Sequence, residues 1–516
     1  MMFGGTTRRR FLQGTVSMAA LLAGAPMALA QAKGGSLVYA TPSGPGTLDP
    51  HNAGSTVEIE ASFHLFESLV SADETYSPKL DLASDLAVDS DFKTYAFTLR
   101  RGVKFHNGKE MTSADVLASY QRYQKVSANA SALADVDRFE APDPYKFVIH
   151  LKKSAPLFLD VLKSTRFPFC ILPAEDADKP ARAAGTIGTG PFRLAEWVKD
   201  SHLVFERFDA YAPNAKAAGL DGVAGKKVVH IDRVRFRFIP EATSRVAGMQ
   251  AGDVDITVDI PKELTGRLAG RPDVSVGEQF PNGMAFFVLN SSSGPTANPL
   301  IRKAIQALVN VDEIVASRGT VARRNPGMLY PSSPYYDPAI GKFYDLKNPT
   351  RAKDLLKQAG YRGEQIVLQT NSSYTTMRNS ILVLAELMKE AGMNVQVDVV
   401  DWTTNSNNMQ KGTGGWHVST TNFVSPPLLG PQLWPPFFFS FGQVKNDQLL
   451  TESYEKLLNA RDFDERRKTW LAIEQHAFEQ AYFIKVADEG TLIAQKTKIK
   501  DVVPWLFMRF WGMSVA

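Results

Sequence analysis

The chain has 516 residues, of which 44% are hydrophobic and 22% are charged, the composition of a water-soluble globular protein. This length exceeds what one hydrophobic core usually serves, so we expect two or three domains. Lysine and arginine number 58 against 54 acidic residues, and the balance falls to 55 against 54 once the arginine cluster at 8–10 is set aside. That balance excludes the strongly basic surface of a nucleic-acid-binding protein.

The N-terminus carries the pattern of an export signal. Arg8 and Arg9 form a twin-arginine pair, a weakly apolar run follows over residues 14–25, and the A-L-A sequence at 28–30 is typical of a cleavage site. The apolar run is too short to span a bilayer, and no later stretch reaches 18 uninterrupted apolar residues. We therefore predict a twin-arginine signal peptide over residues 1–30 and a periplasmic location in a bacterium.

Two patterns in the first half of the chain predict a small unit of strands and helix. Residues 95–99 alternate between apolar and more polar side chains, as in a half-buried strand. An Asn-Gly pair at 107–108 is typical of a tight turn. Thr112 then stands three positions before Asp115, the spacing of a helix capping box.

The second half of the chain predicts an α/β lobe. A strand over residues 366–370, a helix that ends at Gly392 and a strand over residues 395–400 follow one another. This order and spacing indicate a right-handed crossover, which makes the two strands parallel neighbours. Because no flexible linker separates the halves, we expect a hinge architecture in which the chain crosses between two lobes more than once.

The sequence lacks motifs for catalysis and for metal binding. It contains no G-x-S-x-G, H-E-x-x-H or C-x-x-C, its eight histidines are scattered, and its one cysteine, Cys170, permits no intrachain disulfide. The glycine-rich run at 187–192 lacks the G-K-[ST] ending of a phosphate loop. We therefore expect a binding protein and not an enzyme, with no cofactor, no metal and no nucleic-acid partner. The alternatives are a secreted hydrolase and a haem or metal-chelate carrier.

Residues 414–423 form the candidate binding segment. They follow the predicted crossover, on the loop side where α/β sheets place ligands. A tryptophan, hydroxyls and an amide suit an uncharged or amphipathic small ligand. For Trp416 and His417 the alternative is a structural role, and the aromatic run at 434–439 is expected to pack against the lobe. The candidate contacts are Trp416, His417, Ser419, Thr421, Asn422 and Phe423, with Trp402, Asn371 and Tyr374 as secondary candidates.

Three segments resemble one known family. The run F-T-L-R-x-G-V-K-F-H-N-G-K-x-x-T-S-A-D-V over residues 97–116 is the most recognisable, and the T-L-D-P loop at 47–50 and the G-T-G-P-F run at 188–192 agree with it. Together they resemble the peptide-type extracytoplasmic solute-binding proteins. These are the receptor components of ABC importers for oligopeptides, dipeptides, chelated nickel, opines and some oligosaccharides. The resemblance covers nearly all of residues 33–516.

The resemblance implies an α/β fold of the two-lobed periplasmic-binding-protein type (type II, large peptide-binding subclass), with an extra inserted subdomain. It implies lobe I over residues 31–77, 187–280 and 493–516, an inserted subdomain over residues 78–186, and lobe II over residues 281–492. The implied function is a periplasmic receptor that closes on a peptide-like or other polar solute. Its implied partners are the permease subunits in the inner membrane, and it is expected to be a monomer.

The resemblance also implies two features of the binding site. In the family the T-L-D-P loop borders the ligand cleft, which makes His51 and Asn52 candidate contacts. Peptide-binding relatives carry G-W-x-x-D, and the aspartate holds the α-ammonium group of the peptide. Counted from Gly415, this chain has Ser419 in that place. We therefore expect unmodified di- and tripeptides to bind weakly and a ligand without a free α-ammonium group to bind better.

Overall fold

We describe a computed structural model of the chain over residues 34–127, 129–423 and 430–516. The predicted signal peptide lies outside these described residues. None of the helices in these ranges combines the length and the apolarity that crossing a membrane requires. The Cys170 side chain is buried and forms no disulfide.

Helices and strands are interspersed along the described part of the chain, with several runs of consecutive strands or consecutive helices. The helices are α1 (Thr56–Leu65), α2 (Ser113–Val126), α3 (Phe158–Leu162), α4 (Ala242–Ala251), α5 (Pro299–Leu308), α6 (Val311–Arg318), α7 (Pro349–Gln358), α8 (Thr375–Glu390), α9 (Trp402–Lys411), α10 (Trp434–Ser440), α11 (Gln448–Asn459) and α12 (Phe463–Glu479). The strands are β1 (Ser36–Thr41), β2 (Val70–Ala72), β3 (Pro78–Leu80), β4 (Ala83–Val88), β5 (Thr94–Leu99), β6 (Val136–Asp143), β7 (Lys146–Leu151), β8 (Phe192–Val198), β9 (His202–Arg207), β10 (Arg233–Phe238), β11 (Ile256–Thr257), β12 (Val274–Leu289), β13 (Val321–Arg323), β14 (Ile366–Asn371), β15 (Val395–Val400), β16 (Val418–Phe423), β17 (Phe483–Lys496), β18 (Ile499–Lys500) and β19 (Ser514–Val515).

One mixed sheet of 11 strands runs through the molecule in the order β15-β14-β16-β12-β17-β11-β1-β10-β9-β8, with β13 pairing to β17. The parallel pairing expected of the predicted crossover is confirmed, because β14 and β15 are parallel neighbours with Ile366 opposite Val395. Strand β16 pairs in parallel with the other side of β14. The carboxyl ends of β15, β14 and β16 therefore meet at one edge of the sheet.

Two long antiparallel strands, β12 and β17, join the two ends of this sheet. Their pairing runs from Val274 opposite Lys496 to Val288 opposite Phe483, with register shifts between Gln279 and Gly283 and between Ala285 and Phe286. The expected lobe boundaries at 280/281 and 492/493 fall inside these strands. The chain therefore passes between the expected lobes through two paired strands and not through loops.

A separate four-stranded antiparallel sheet, β4-β5-β7-β6, forms with α2 and α3 the small-sheet unit. The predicted alternation of β5 is confirmed, since Tyr95, Phe97 and Leu99 are buried in the core of this unit. The predicted cap of α2 is also confirmed. Asp115 Oδ2 accepts a hydrogen bond of 2.9 Å from the backbone N–H of Thr112.

Candidate functional site

The carboxyl ends of three neighbouring parallel strands face the small-sheet unit. Strand β14 ends at Asn371, β16 ends at Phe423, and β15 leads into Trp402 at the start of α9. Between this edge and the small-sheet unit lies a cavity of about 600 Å³, which we call the cleft cavity. Its volume is that of a site for a small molecule. It is lined by Asn129, Ser131, Ala132, Asp160, Val161, Ser164, Arg166 and Phe167 on one side, and by Trp402, Thr421, Asn422, Phe423, Gln432, Leu433, Pro436, Phe437 and Phe441 on the other.

Aromatic rings form one wall of the cleft cavity. The ring centroid of Phe423 lies 4.6 Å from that of Phe437 and 5.7 Å from that of Phe441, both with edge-on geometry. Trp402 contacts Tyr374 edge-on at a centroid distance of 5.4 Å, and Tyr374 is 47% exposed. This wall can bury the apolar body of a ligand, because ring faces offer a large contact area at little conformational cost.

Asn422 connects the cleft cavity to the long strand β17. Its Nδ2 donates a 2.6 Å hydrogen bond to Glu489 Oε2, and its Oδ1 accepts one of 3.2 Å from Arg318. Arg318 is in turn 2.6 Å from Glu489 Oε1. The amide of Asn422 is therefore held by two charged side chains, one of which belongs to a strand that crosses the molecule.

Four of the sequence-predicted residues line the cleft cavity: Trp402, Thr421, Asn422 and Phe423. Tyr374 stands next to Trp402. Asn371 is fully buried, and its Oδ1 accepts a 2.7 Å hydrogen bond from the backbone N–H of Tyr374. Asn371 thus shapes the turn after β14 and does not present its amide to the cavity.

Trp416 and His417 lie before β16, at the end of the strand opposite to the cleft cavity. Trp416 is 1% exposed, and its Nε1 donates to the carbonyl of Asn408 at 3.0 Å. The Nδ1 of His417 accepts a 2.8 Å hydrogen bond from the backbone N–H of Val367, and burial lowers the pKa of this imidazole. Both side chains have structural partners, which is the alternative that the sequence left open.

Ser419 is the second residue of β16 and is completely buried between β12 and β14. Its Oγ accepts a 3.0 Å hydrogen bond from Asn405 Nδ2. Ser419 therefore lies under α9 and does not line the cleft cavity, and the weak binding of peptides with a free α-ammonium group stays a prediction.

His51 and Asn52 also lie outside the lining of the cleft cavity. His51 is 3% exposed, with Nε2 2.8 Å from the carbonyl oxygen of Cys170 and Nδ1 3.1 Å from Arg122. Burial lowers the pKa of His51 to about 4, so the ring is neutral at pH 7. Asn52 is half-buried in the turn that follows. This loop is therefore a structural joint between the N-terminal segment and the small-sheet unit.

Sequence patterns missed the residues that the small-sheet unit and α10 contribute. Arg166 and Phe167 follow the short helix α3, and no local motif marks them. The aromatic run of α10 packs as expected through Trp434 and Phe438, but Phe437 lines the cleft cavity. Trp434 and Phe438 are one turn apart on one face of the helix, whereas Phe437 is rotated by roughly 100° from Phe438, and only the helical assignment of this run could have revealed the division.

A second cavity, of about 1220 Å³, lies beside β17 between residues 259–278 and 318–323. Its arginines are neutralised by neighbouring carboxylates, and it lacks an aromatic wall, so we place the candidate site in the smaller cleft cavity. No group of three or more histidine, cysteine or acidic side chains is arranged to hold a metal in the described part of the chain. The ion pairs of the second cavity are Arg318–Glu489, Arg323–Glu278 and Arg271–Asp273.

The curated relatives of this chain include binding components of ABC transporters. It is 24% identical over 504 residues to the probable peptide ABC transporter periplasmic-binding protein y4tO of Sinorhizobium fredii, covering 91% of each chain. It is 24% identical over 472 residues to the glutathione-binding protein GsiB of Escherichia coli strain K12, covering 88% of this chain and 89% of the relative.

Solved structures share the fold. The ABC transporter substrate-binding protein CtaP of Listeria monocytogenes matches with a TM-score of 0.80 at 19% identity, covering 94% of this chain and 99% of that one. NikA of Brucella suis, solved in complex with Fe(III)-EDTA, matches with a TM-score of 0.79 at 19% identity, covering 93% and 100%.

The model of the bacterial extracellular solute-binding proteins, family 5 Middle, matches residues 77–443. That match includes the small-sheet unit, strands β8 to β16 and both walls of the cleft cavity. The expected two-lobed α/β architecture is confirmed by the structural matches. The chain therefore belongs to the bacterial extracellular solute-binding proteins of family 5, and it is a substrate-binding receptor of an ABC importer.

Proposed function

We propose that the receptor holds its solute in the cleft cavity and closes around it by bending at the paired strands β12 and β17. One observation carries the proposal: the cavity has one wall on the small-sheet unit and the other on the strand ends of the second half. A ligand between the walls contacts both only when they approach each other. Because that state makes more contacts than the open state, ligand binding favours closure.

The register shift between Gln279 and Gly283 is where we place the bend. It interrupts the ladder between the Gln279–Thr491 and Gly283–Glu489 pairs, next to Glu489, so fewer regular hydrogen bonds resist bending there than in the regular stretch from Val274 to Gln279. Glu489 also contacts Asn422 of the cavity lining. Lobe I and lobe II, with the boundaries expected from the sequence, then move as two bodies around this point.

The proposed ligand is a small peptide-like or other polar solute. Support comes from the relatives, whose names specify peptide and glutathione. The proposed destination is the permease of the importer, and the proposed state is a monomer. We also propose that the chain catalyses no reaction. In the described part of the chain the cavity lining includes no histidine, cysteine or glutamate, and its one aspartate, Asp160, is 2.6 Å from Lys163 Nζ.

Closure makes a measurable prediction. Native mass spectrometry of freshly purified protein identifies the retained solute, which is then removed by dialysis and added back. We expect the radius of gyration from solution X-ray scattering to fall on addition. We also expect the melting temperature to rise, because a solute at 100 times its dissociation constant stabilises the native state by roughly 2.7 kcal/mol.

The matched variants for this experiment are Phe437→Ala, which removes part of the aromatic wall, and Val399→Ala, at an exposed position of β15. The first should weaken binding and the second should not. Stabilisation of the wild type without any fall in the radius of gyration would mean that the cavity is rigid, and it would contradict closure.

We further propose that the chain reaches the periplasm by the twin-arginine route, on the evidence of Arg8 and Arg9 before a weakly apolar run. Replacing both by lysine should trap the precursor in the cytoplasm, as immunoblots of cell fractions would show. Replacing Arg10 alone is the control and should leave export intact. An unchanged periplasmic yield of the double variant would exclude this route.

A further inference from the structure

Arg166 is the only cation in the described lining of the cleft cavity. It belongs to the loop after α3, and it is half-buried. Its guanidinium carbon lies 5.6 Å from the ring centroid of Phe167. The remaining lining is mostly apolar and aromatic, so the charge faces a cavity of low polarity.

No carboxylate of the chain balances this charge. Arg166 forms no ion pair within residues 34–127, 129–423 and 430–516, and the stretches outside these ranges contain neither aspartate nor glutamate. Burial lowers the pKa of the guanidinium, and no acidic neighbour opposes this effect. Asp160 is tied to Lys163, which is itself buried, so this pair adds no net charge. The cleft cavity therefore carries one uncompensated positive charge.

An uncompensated buried charge is costly for the protein, and an anion from the ligand would offset that cost. The planar guanidinium fork matches a carboxylate through two parallel hydrogen bonds. One positive charge balances a monoanion and not a dianionic phosphate. An ammonium group in the same cavity would need a free carboxylate, and Asp160 is already neutralised by Lys163.

We infer that the ligand of the cleft cavity is a monoanionic amphipathic solute, in which one carboxylate bonds to Arg166 and an apolar or aromatic body without a free ammonium group packs on Phe423 and Phe437. This inference rests on the proposed function of the cleft cavity. It names the ligand class: an N-blocked amino acid or short peptide, or an aromatic carboxylic acid.

The test uses four probes in calorimetry with the whole mature chain. N-acetylphenylalanine carries both the carboxylate and the aromatic body, and its amide has the same body without the negative charge. Phenylalanine has a free ammonium group in addition to the carboxylate. Phenyl phosphate has a phosphate in place of the carboxylate. We expect N-acetylphenylalanine to bind roughly 10- to 150-fold more tightly than its amide, the range of a charge-assisted hydrogen bond. Phenylalanine and phenyl phosphate should both bind more weakly than N-acetylphenylalanine.

Arg166→Met should abolish the preference for the acid and leave the affinity of the amide unchanged, whereas Arg166→Lys should retain part of it. Arg101→Met, at an exposed arginine that stacks on Tyr145 outside the cavity, is the matched control. Ligand-free Arg166→Met should melt no lower than the wild type, because the substitution removes a half-buried charge without an acidic partner and keeps most of the apolar stem.

Three results would overturn the inference: equal binding of acid and amide, no binding of any anionic probe, or a clear fall in the melting temperature of ligand-free Arg166→Met, which would reveal a structural partner. The proposed function fails separately. If the protein becomes more compact on binding a neutral solute, closure is supported and the monoanionic ligand is excluded. If binding depends on the charge of the probe but the protein does not become more compact, the monoanionic ligand is supported and closure is excluded.

Discussion

Replacing Trp416 with alanine should lower the free energy of unfolding by roughly 3–5 kcal/mol, the usual cost of removing a large buried aromatic side chain. Trp416 is 1% exposed within a large hydrophobic cluster that draws residues from both halves of the chain, and its indole N–H is bonded to the carbonyl of Asn408. The substitution would remove both the packing and this hydrogen bond. Urea denaturation followed by circular dichroism would measure the loss.

The same variant separates a core residue from a ligand contact. Where the protein remains folded, Trp416→Ala should bind the retained solute with the affinity of the wild type, because the side chain lies at the far end of β16 from the cleft cavity. Tyr374→Ala is the control for the stability measurement alone, since Tyr374 is 47% exposed and the loss of its side chain should change the free energy of unfolding little. If Trp416→Ala kept the stability of the wild type and lost affinity for the solute, Trp416 would be a ligand contact and not a core residue.

Replacing Arg122 with methionine should cost roughly 3–5 kcal/mol, because the change leaves Asp49 buried and without its charge partner. Both side chains are fully buried, and Arg122 donates to the two carboxylate oxygens of Asp49 at 3.0 and 2.6 Å. Burial by itself raises the pKa of Asp49, but the hydrogen bonds and the charge of Arg122 outweigh burial and lower it. His51 would lose a neighbour as well.

The cost should depend on pH with a definite sign. A carboxyl group with a lowered pKa in the folded state stabilises the protein above its unfolded pKa of about 3.9, and this stabilisation is lost as the pH falls through the folded pKa. The difference between the wild type and Arg122→Met should therefore be largest near pH 7 and shrink below about pH 4. A double variant, Asp49→Asn with Arg122→Met, should be more stable than Arg122→Met alone at pH 7. A difference that is constant with pH would show that the pair contributes packing and no charge interaction.

Local signals predicted the elements whose cause is local. The capping box of Thr112 and Asp115 lies within one turn of helix, and the alternation of β5 is a property of one strand on one buried face. The first glycine of the G-T-G-P-F run has a cause that is not local, because it packs against the end of α1, far earlier in the chain. A Cβ atom at Gly188 would stand 2.0 Å from the carbonyl oxygen of Leu65, so backbone contact requires this glycine.

The candidate site could be predicted only in part, because its parts are brought together by the fold. The alternation along β16 does not say which end of the strand faces a cavity, and Trp416 and Ser419 lie at the end away from the cleft cavity. Thr421, Asn422 and Phe423, at the carboxyl end, do line the cleft cavity, since parallel strands share an edge, and their contact with a ligand stays a prediction. The sequence could not have identified Arg166 as a candidate ligand contact. Its importance depends on the folded structure, which leaves its charge without a carboxylate partner in the cleft cavity.

The C-terminal segment determines when the molecule can finish folding. The backbone N–H of Phe510 donates to His64 of α1, 446 positions earlier, and Lys496 of β17 bonds to Asp273 across 223 positions. Contacts between such distant parts of the chain form slowly, because a long loop must close before any of them is made. The central pair of strands, and with it the whole sheet, can be completed only after almost the entire polypeptide has been synthesised. Until then the first half of the chain exposes apolar surface that awaits its last residues, and this is the interval in which a chaperone would have most to protect.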